Sequence, residues 1–185
     1  MAVEEPGFQT VLQDGAFEIR DYPALVVAEV SVTGAQKEAA RKGFRLLAAY
    51  LFGANRRKQS LAMTAPVAQS RASEKIAMTA PVMQIQRDGE WIVQFTMPSA
   101  YALATLPEPK DARVRLRETP PARFAVIQFS GLAWPDDVEA RTATLSAWMQ
   151  RRQLRQTGPA SLAQYNPPWT LWFLRRNEVM IPIQP

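Results

Sequence analysis

The sequence contains no cysteine and no histidine. Without cysteine there is no disulfide framework, no thiolate metal site and no cysteine nucleophile, and the redox state of the compartment leaves no mark. Without histidine the commonest general base, metal ligand and proximal heme ligand are lost together. A Ser-His-Asp relay and a zinc-binding His-x-x-x-His helix are excluded. Any catalysis falls to Asp, Glu, Lys, Tyr or a cofactor. No apolar run approaches the roughly 20 residues needed to span a bilayer. The first residues carry Glu4 and Glu5 and lead into no apolar signal core. The expectation is a soluble, cytoplasmic protein.

Glycine is sparse, at 8 of 185 residues, while 47% of the chain is apolar and 21% charged. This is the composition of an ordered globular chain, and the length suits a single domain over residues 1–185. The net charge is +5, but the basic residues are scattered among acids. Their tightest cluster, Arg56-Arg57-Lys58, has no interleaved aromatics and reads as a solvated loop, so nucleic acid is not the expected partner.

What is present is organised by duplication. Phe17-Glu18-Ile19-Arg20-Asp21-Tyr22-Pro23 is echoed 97 residues later by Val114-Arg115-Leu116-Arg117-Glu118-Thr119-Pro120. At the same offset, Val27 to Gly34 falls on Phe124 to Gly131, both runs rich in β-branched or aromatic residues. An amphipathic helix follows each glycine. In the first, Ala40, Phe44, Leu47, Ala48 and Leu51 form the expected core stripe; in the second, Val138, Leu145, Trp148 and Met149 do, with Asp136 and Asp137 at its start and Arg151 and Arg152 at its end to suit the helix dipole. Strands then return, at 91–97 and at 178–181 before Pro182. The fold class expected is α+β, two pseudo-symmetric strand-helix-strand-strand halves over approximately 17–98 and 114–183, with a cleft at their seam. A shorter repeat, Ala62-Met63-Thr64-Ala65-Pro66-Val67 and Ala77-Met78-Thr79-Ala80-Pro81-Val82, suits two strands facing across a hairpin.

The two Ala-Met-Thr-Ala-Pro-Val copies, the run from Arg113 to Gly131 and Arg175-Arg176-Asn177-Glu178-Val179 resemble the SOUL family of heme-binding proteins, over roughly 17–183. The resemblance implies a distorted β-barrel carrying two long helices. It also implies a heme or related tetrapyrrole held non-covalently in a shallow apolar pocket beside the first helix, closed by the loop between the last two strands. Here that loop is Tyr165-Asn166-Pro167-Pro168-Trp169-Thr170, running on to Leu171, Trp172 and Phe173, and its aromatics suit a flat ring.

The first helix supports such a pocket from its own pattern. Lys42, Leu46, Ala49 and Tyr50 form a second stripe too apolar for a solvated face, covered either by a ligand or by a neighbouring strand or loop. Lys42, Arg41, Arg45, Arg175 and Arg176 are the cations available to propionates. The expected seat lies between this stripe and Trp169 or Trp172. In some family members a first-strand histidine is the proposed axial ligand; that position falls on Asp21. The remaining axial candidates are Tyr50, Tyr165, Met63 and Met78, the methionines serving otherwise as core fillers, and binding without an axial ligand is the further option.

The leading expectation is reversible tetrapyrrole binding for buffering, transport or delivery. The alternatives are an enzyme acting on a tetrapyrrole or another apolar molecule, with Glu178 and Tyr165 as its acid and base groups, and a partner-binding module without ligand chemistry. One outcome follows from composition alone. Heme bound to the untagged protein in imidazole-free buffer should give an absorption spectrum without bis-imidazole features, and observing such features would contradict this reading.

Overall fold

The computed structural model describes residues 3–57 and 73–185. Eleven strands and two long helices follow one another in the chain: β1 (Gln9–Asp14), β2 (Phe17–Tyr22), β3 (Leu25–Val32), α1 (Gln36–Leu51), β4 (Asn55–Arg56), β5 (Val82–Arg87), β6 (Glu90–Thr96), β7 (Glu108–Pro109), β8 (Arg115–Thr119), β9 (Ala122–Ser130), α2 (Pro135–Arg151), β10 (Ser161–Gln164) and β11 (Arg176–Ile183). A short 3-10 turn, Trp172–Leu174, lies between the last two strands.

Nine strands form one antiparallel sheet in the order β1-β2-β9-β11-β10-β5-β6-β3-β8, curled into a half-barrel that does not close. β4 pairs only with β7. The fold is thus α+β with a barrel-like sheet. In the main sheet the order strand, strand, helix, strand, strand occurs twice, β2-β3-α1-β5-β6 and β8-β9-α2-β10-β11, and the proline-punctuated run before each helix forms two strands, as its sequence suggests. β2 of the first half pairs with β9 of the second, and β3 with β8. Gly34 and Gly131 end the equivalent strands at φ of 117° and 121°, a conformation that side chains with a Cβ avoid. At the open edges, β1 breaks register between Thr10 and Leu12, and β8 exposes Arg115, Arg117 and Glu118.

Both helices lie on one face of the sheet, α1 over β3 and β6, α2 over β9 and β11. The pleat sends alternate side chains to opposite faces. Ala125, Ile127 and Phe129 of β9 join Leu145, Trp148 and Met149 of α2 in one buried cluster. Val126, with Tyr22, Ala163 and Met180, forms a separate cluster on the inner face of the curl. The expected α2 stripe is the observed one, with Val138 half-buried at its edge. Pro135 sits in the first turn, Asp136 and Asp137 follow it, and Arg151 lies in the last, the charge order the dipole favours.

α1 corrects the sequence expectation. Its buried residues are Ala39, Gly43, Leu47, Tyr50 and Leu51, whereas Phe44 is partly exposed and edges onto Phe95. The helix is turned by about one position because Gly43, with no side chain, lets its backbone settle onto β3 and β6. β11 also differs, continuing through Pro182 to Ile183. β10 pairs only as far as Met180; beyond it that flank of β11 carries a single bridge, Gln156 to Ile183, with the Pro182 carbonyl accepting the Thr157 N–H at 2.9 Å. Arg56 is in a strand rather than a loop; Lys58 and residues 61–67, including Met63, lie outside the described residues. In the second copy of that repeat Met78 is half-buried against the α1 cluster, and the Thr79 hydroxyl donates to the Thr96 carbonyl.

The seat of α1 gives a test. A Cβ on Gly43 would stand 2.5 Å from Val93 Cγ2 and 2.6 Å from Val93 Cβ. Gly43→Ala should gain about 1 kcal/mol of helix propensity but lose about 1–3 kcal/mol to overpacking against a fully buried side chain. The net expectation is a lower urea midpoint, which adding Val93→Ala should not restore, because the Val93 Cβ itself stands 2.6 Å away. A Gly43→Ala protein more stable than wild type would show that α1 sits elsewhere.

Candidate functional site

Between the two helices, β10 and β5 form the floor of a groove at the seam of the halves. One section, of about 580 Å³, runs along α2 past Val138, Glu139, Thr142 and Trp91. Gln36, Gln84, Pro135 and Leu162 border it and also a second section of about 270 Å³, lined further by Lys37 and Ala40 of α1, Leu132 and Trp134 of the turn before α2, Gln164 and Arg175. Gln84 and Gln164 join across the floor, Nε2 to Oε1 at 2.8 Å. Lys37 Nζ stands 4.9 Å from the Trp134 ring centroid, so the start of α1 and the turn before α2 meet over this end.

The loop between β10 and β11 stands at the same end. Asn177 Nδ2 donates to the Gly131 carbonyl at 3.0 Å, tying the loop's exit to the turn that carries Leu132 and Trp134. Arg175 organises the loop from within: its Nε donates to the Thr170 carbonyl at 2.9 Å and a terminal nitrogen donates to the Pro168 carbonyl. The Arg176 N–H donates to Asn166 Oδ1 at 2.6 Å. With its polar groups turned inward, the loop carries its apolar side chains outward. Trp169 is 83% exposed and Trp172 60%.

The expected site residues divide into separate places. Leu46, Ala49 and Tyr50 line a shallow cleft of about 430 Å³ beneath Lys110, Asp111 and Ala112. The aromatic loop is not part of that cleft; its base, Arg175, lines the seam groove instead. Tyr50 is buried, its hydroxyl donating to the Pro107 carbonyl at 2.9 Å. Lys42 is exposed and pairs with Glu38 one turn back at 2.8 Å. Arg45 is exposed on the next turn. Arg176 lies over the Tyr165 ring at 3.5 Å and pairs with Glu5.

Tyr165 and Glu178 do meet, on the inner face of the curl, away from both helices. The Tyr165 hydroxyl donates to Glu178 Oε2 at 2.7 Å. The same carboxylate accepts Arg20 Nη1 at 2.8 Å and Arg20 Nη2 at 3.0 Å, while Arg20 Nε donates to Glu18 at 2.7 Å. Arg20 and Glu178 are 3% and 1% exposed. Burial works against the Arg20 charge, but the hydrogen bonds to Glu18 and Glu178 outweigh it and hold its pKa above the ordinary guanidinium value. Beside this network lies a pocket of about 250 Å³ lined chiefly by Tyr22, Phe124, Met83, Met180 and Leu25.

For a heme, the seam groove and its loop supply aromatic and apolar walls with cations near them, which suit the porphyrin face and its propionates. An axial donor is another matter. Burial pushes the phenols of Tyr50 and Tyr165 up, so neither favours the tyrosinate that would bind iron. Met78 packs in the core. Asp21 is held in a bidentate pair by Arg123, at 2.7 Å on both oxygens. The described residues thus fit recognition of the macrocycle and its carboxylates but not ligation of its metal.

Sequence reasoning missed Lys37 and Trp134, and met Arg20 only within a repeat. An unbroken Leu-Ala-Trp-Pro run after a glycine was the available signal, since nothing local buries it.

A family model described as SOUL heme-binding protein matches residues 3–182. The chain belongs to that family. A search of curated proteins found no match. Among solved structures, the EcmrR C-terminal domain is similar at TM-score 0.65 and 8% identity, over 96% of this chain and 98% of that one. A hydrolase from Listeria innocua is similar at TM-score 0.58 and 12% identity, over 94% of each chain. SAV2435, in a structure bound to tetraphenylphosphonium, is similar at TM-score 0.50 and 9% identity, over 91% of this chain and 93% of that one. At these identities the likeness is one of fold.

The inner-face network predicts an asymmetry. Arg20→Met strands a buried carboxylate and should cost about 3–5 kcal/mol in chemical denaturation, whereas Arg20→Met with Glu178→Met should lose much less. A single variant no less stable than the double would show that the pair is not buried as a unit.

Proposed function

We propose that the protein binds heme or a related tetrapyrrole reversibly, for buffering, transport or delivery, at the end of the seam groove where Lys37, Ala40, Leu132 and Trp134 meet the aromatic loop. The observation that carries this reading is an exposed Trp134 lining a groove that also reaches Arg175, at the base of the exposed aromatic loop, in a chain of a heme-binding family. Exposed apolar patches of this extent mark a surface that is covered in use. Lys37, Arg41 and Arg45 recur at steps of four along α1 and are exposed, forming a cationic edge for propionates. The macrocycle is held by its faces and carboxylates, which suits a cargo that must also be released. In the same reading the recurrent element order records a duplicated unit whose seam became the binding groove.

The enzyme reading weakens on the geometry of its own pair. Glu178 already accepts two N–H groups of Arg20 and the Tyr165 hydroxyl, which leaves little acceptor capacity for a substrate proton. Burial also raises the Tyr165 phenol above its ordinary value, making it a poorer acid. These groups serve the wall of the inner pocket.

Titration of the purified protein with heme, followed by absorbance, tests the proposal. Trp172→Ala removes ring contact worth roughly 1–3 kcal/mol, about five- to 150-fold in Kd. Lys37→Glu should weaken a dicarboxylate porphyrin more than its diester. Iron-free porphyrin should bind comparably to heme. Folded variants with wild-type affinity for both ligands would overturn the assignment of the site.

A further inference from the structure

From the tip of the β10–β11 loop we infer a second role that does not depend on heme being the ligand: docking on the surface of an anionic lipid bilayer. Pro167-Pro168-Trp169-Thr170-Leu171-Trp172-Phe173-Leu174 is eight residues without a charge. Five of them, Trp169, Leu171, Trp172, Phe173 and Leu174, are large apolar residues each more than half exposed. Single exposed apolar residues are ordinary on soluble proteins, but five in six positions form a wedge that water solvates poorly.

The loop's internal hydrogen bonding selects the occupant. Hydrocarbon offers no partner to a bare N–H or C=O, so a backbone that enters it must satisfy its polar groups internally. The tip does this. Thr170 N–H donates to the Pro167 carbonyl at 3.0 Å and Leu174 N–H to the Leu171 carbonyl at 2.9 Å. The Arg175 guanidinium covers the carbonyls of Pro168 and Thr170 from inside the loop. Pro167 and Pro168 have no N–H to satisfy. Tryptophan, with an apolar body and one N–H donor, is the residue favoured at the boundary between headgroups and acyl chains.

Charge supplies the rest. The aromatic end adjoins Lys37 through Trp134, and Lys37, Arg41 and Arg45 extend from it along the exposed side of α1. A wedge flanked by cations matches a surface whose interior is apolar and whose headgroups are negative. No helix among the described residues is long and apolar enough to cross a membrane. The contact is therefore an interfacial one, made by the loop.

Co-sedimentation of the full chain with vesicles of phosphatidylcholine alone, or of phosphatidylcholine with 30% phosphatidylserine (about a third, enough for a clearly negative surface), tests this without heme present. The wild-type protein should partition onto the mixed vesicles with a blue shift of tryptophan emission, and bind the neutral ones more weakly. Leu171→Ser, Phe173→Ser and Leu174→Ser combined should lower partitioning by on the order of tenfold or more, since they remove most of the inserted apolar area. These side chains are exposed, and an unchanged thermal midpoint confirms that the variant is folded. Lys37→Glu with Arg41→Glu should abolish the preference for the anionic vesicles while retaining the residual apolar binding. Failure of the wild-type protein to bind either vesicle overturns the inference. So does concentration-dependent dimerisation lost in the triple variant, which would assign the wedge to a second copy of the chain. Because no arm contains heme, a negative result leaves the tetrapyrrole titration to stand or fall separately.

Discussion

The buried pair between Arg20 and Glu178 reaches across an entire strand. Arg20 is on β2 and Glu178 on β11, with β9 between them, and neighbouring strands lie roughly 4.8 Å apart. Only a long guanidinium can bridge that separation, and only on the inner face, where the curl brings the outer strands of the trio toward each other. The pair fixes parity on β2 and β11 together. Slipping either strand by one residue would expose an ion pair's partner to the apolar cluster under α2 and turn Ile19 or Val179 inward. The helix-side core and the lining of the inner pocket therefore depend on the same register.

Two concave surfaces result, with different chemistry. The inner pocket is small, and the charges beside it neutralise one another. The seam groove is longer, floored by glutamines, and opens toward an aromatic loop and a row of cations. A curled sheet with two helices on one face generates both surfaces in outline, which is why proteins sharing 8–12% identity with this chain can share its fold. What each surface binds is left to side chains such as Trp134 and Arg175.

The two helices and the strand runs flanking them were legible because period-2 and helical patterns are local, and a glycine closed the run before each helix, whereas β1, β4 and β7 carried no such signal. Nor was the buried face of α1 legible. Counting apolar residues selects Phe44 over Gly43, yet close approach of helix to sheet rewards the smaller residue, a preference that only the packed partners Val30 and Val93 reveal. Tyr50 stood on a stripe that either a ligand or the protein had to cover; the protein covers it, and a carbonyl 57 residues away satisfies its hydroxyl inside the core. The pairing of Tyr165 with Glu178 was anticipated as chemistry, while Arg20, which changes its meaning, comes from a strand 158 residues distant from that carboxylate. The aromatic loop was legible from composition. Its neighbours were not, because the turn bearing Trp134 meets it only through the antiparallel register of β9 with β11.

An open half-barrel leaves two rows of unpaired backbone groups, and such rows invite strands from other molecules. Here the two ends are guarded by different means. On β1 the extra residue between Thr10 and Leu12 kinks the strand, so a straight incoming strand loses its ladder halfway. On β8, Arg115 and Arg117 stand exposed with Glu118 beside them, and alignment with a second β8 would crowd like charges into a contact that excludes water. The barrel can thus remain open to ligands without becoming a template for fibrils.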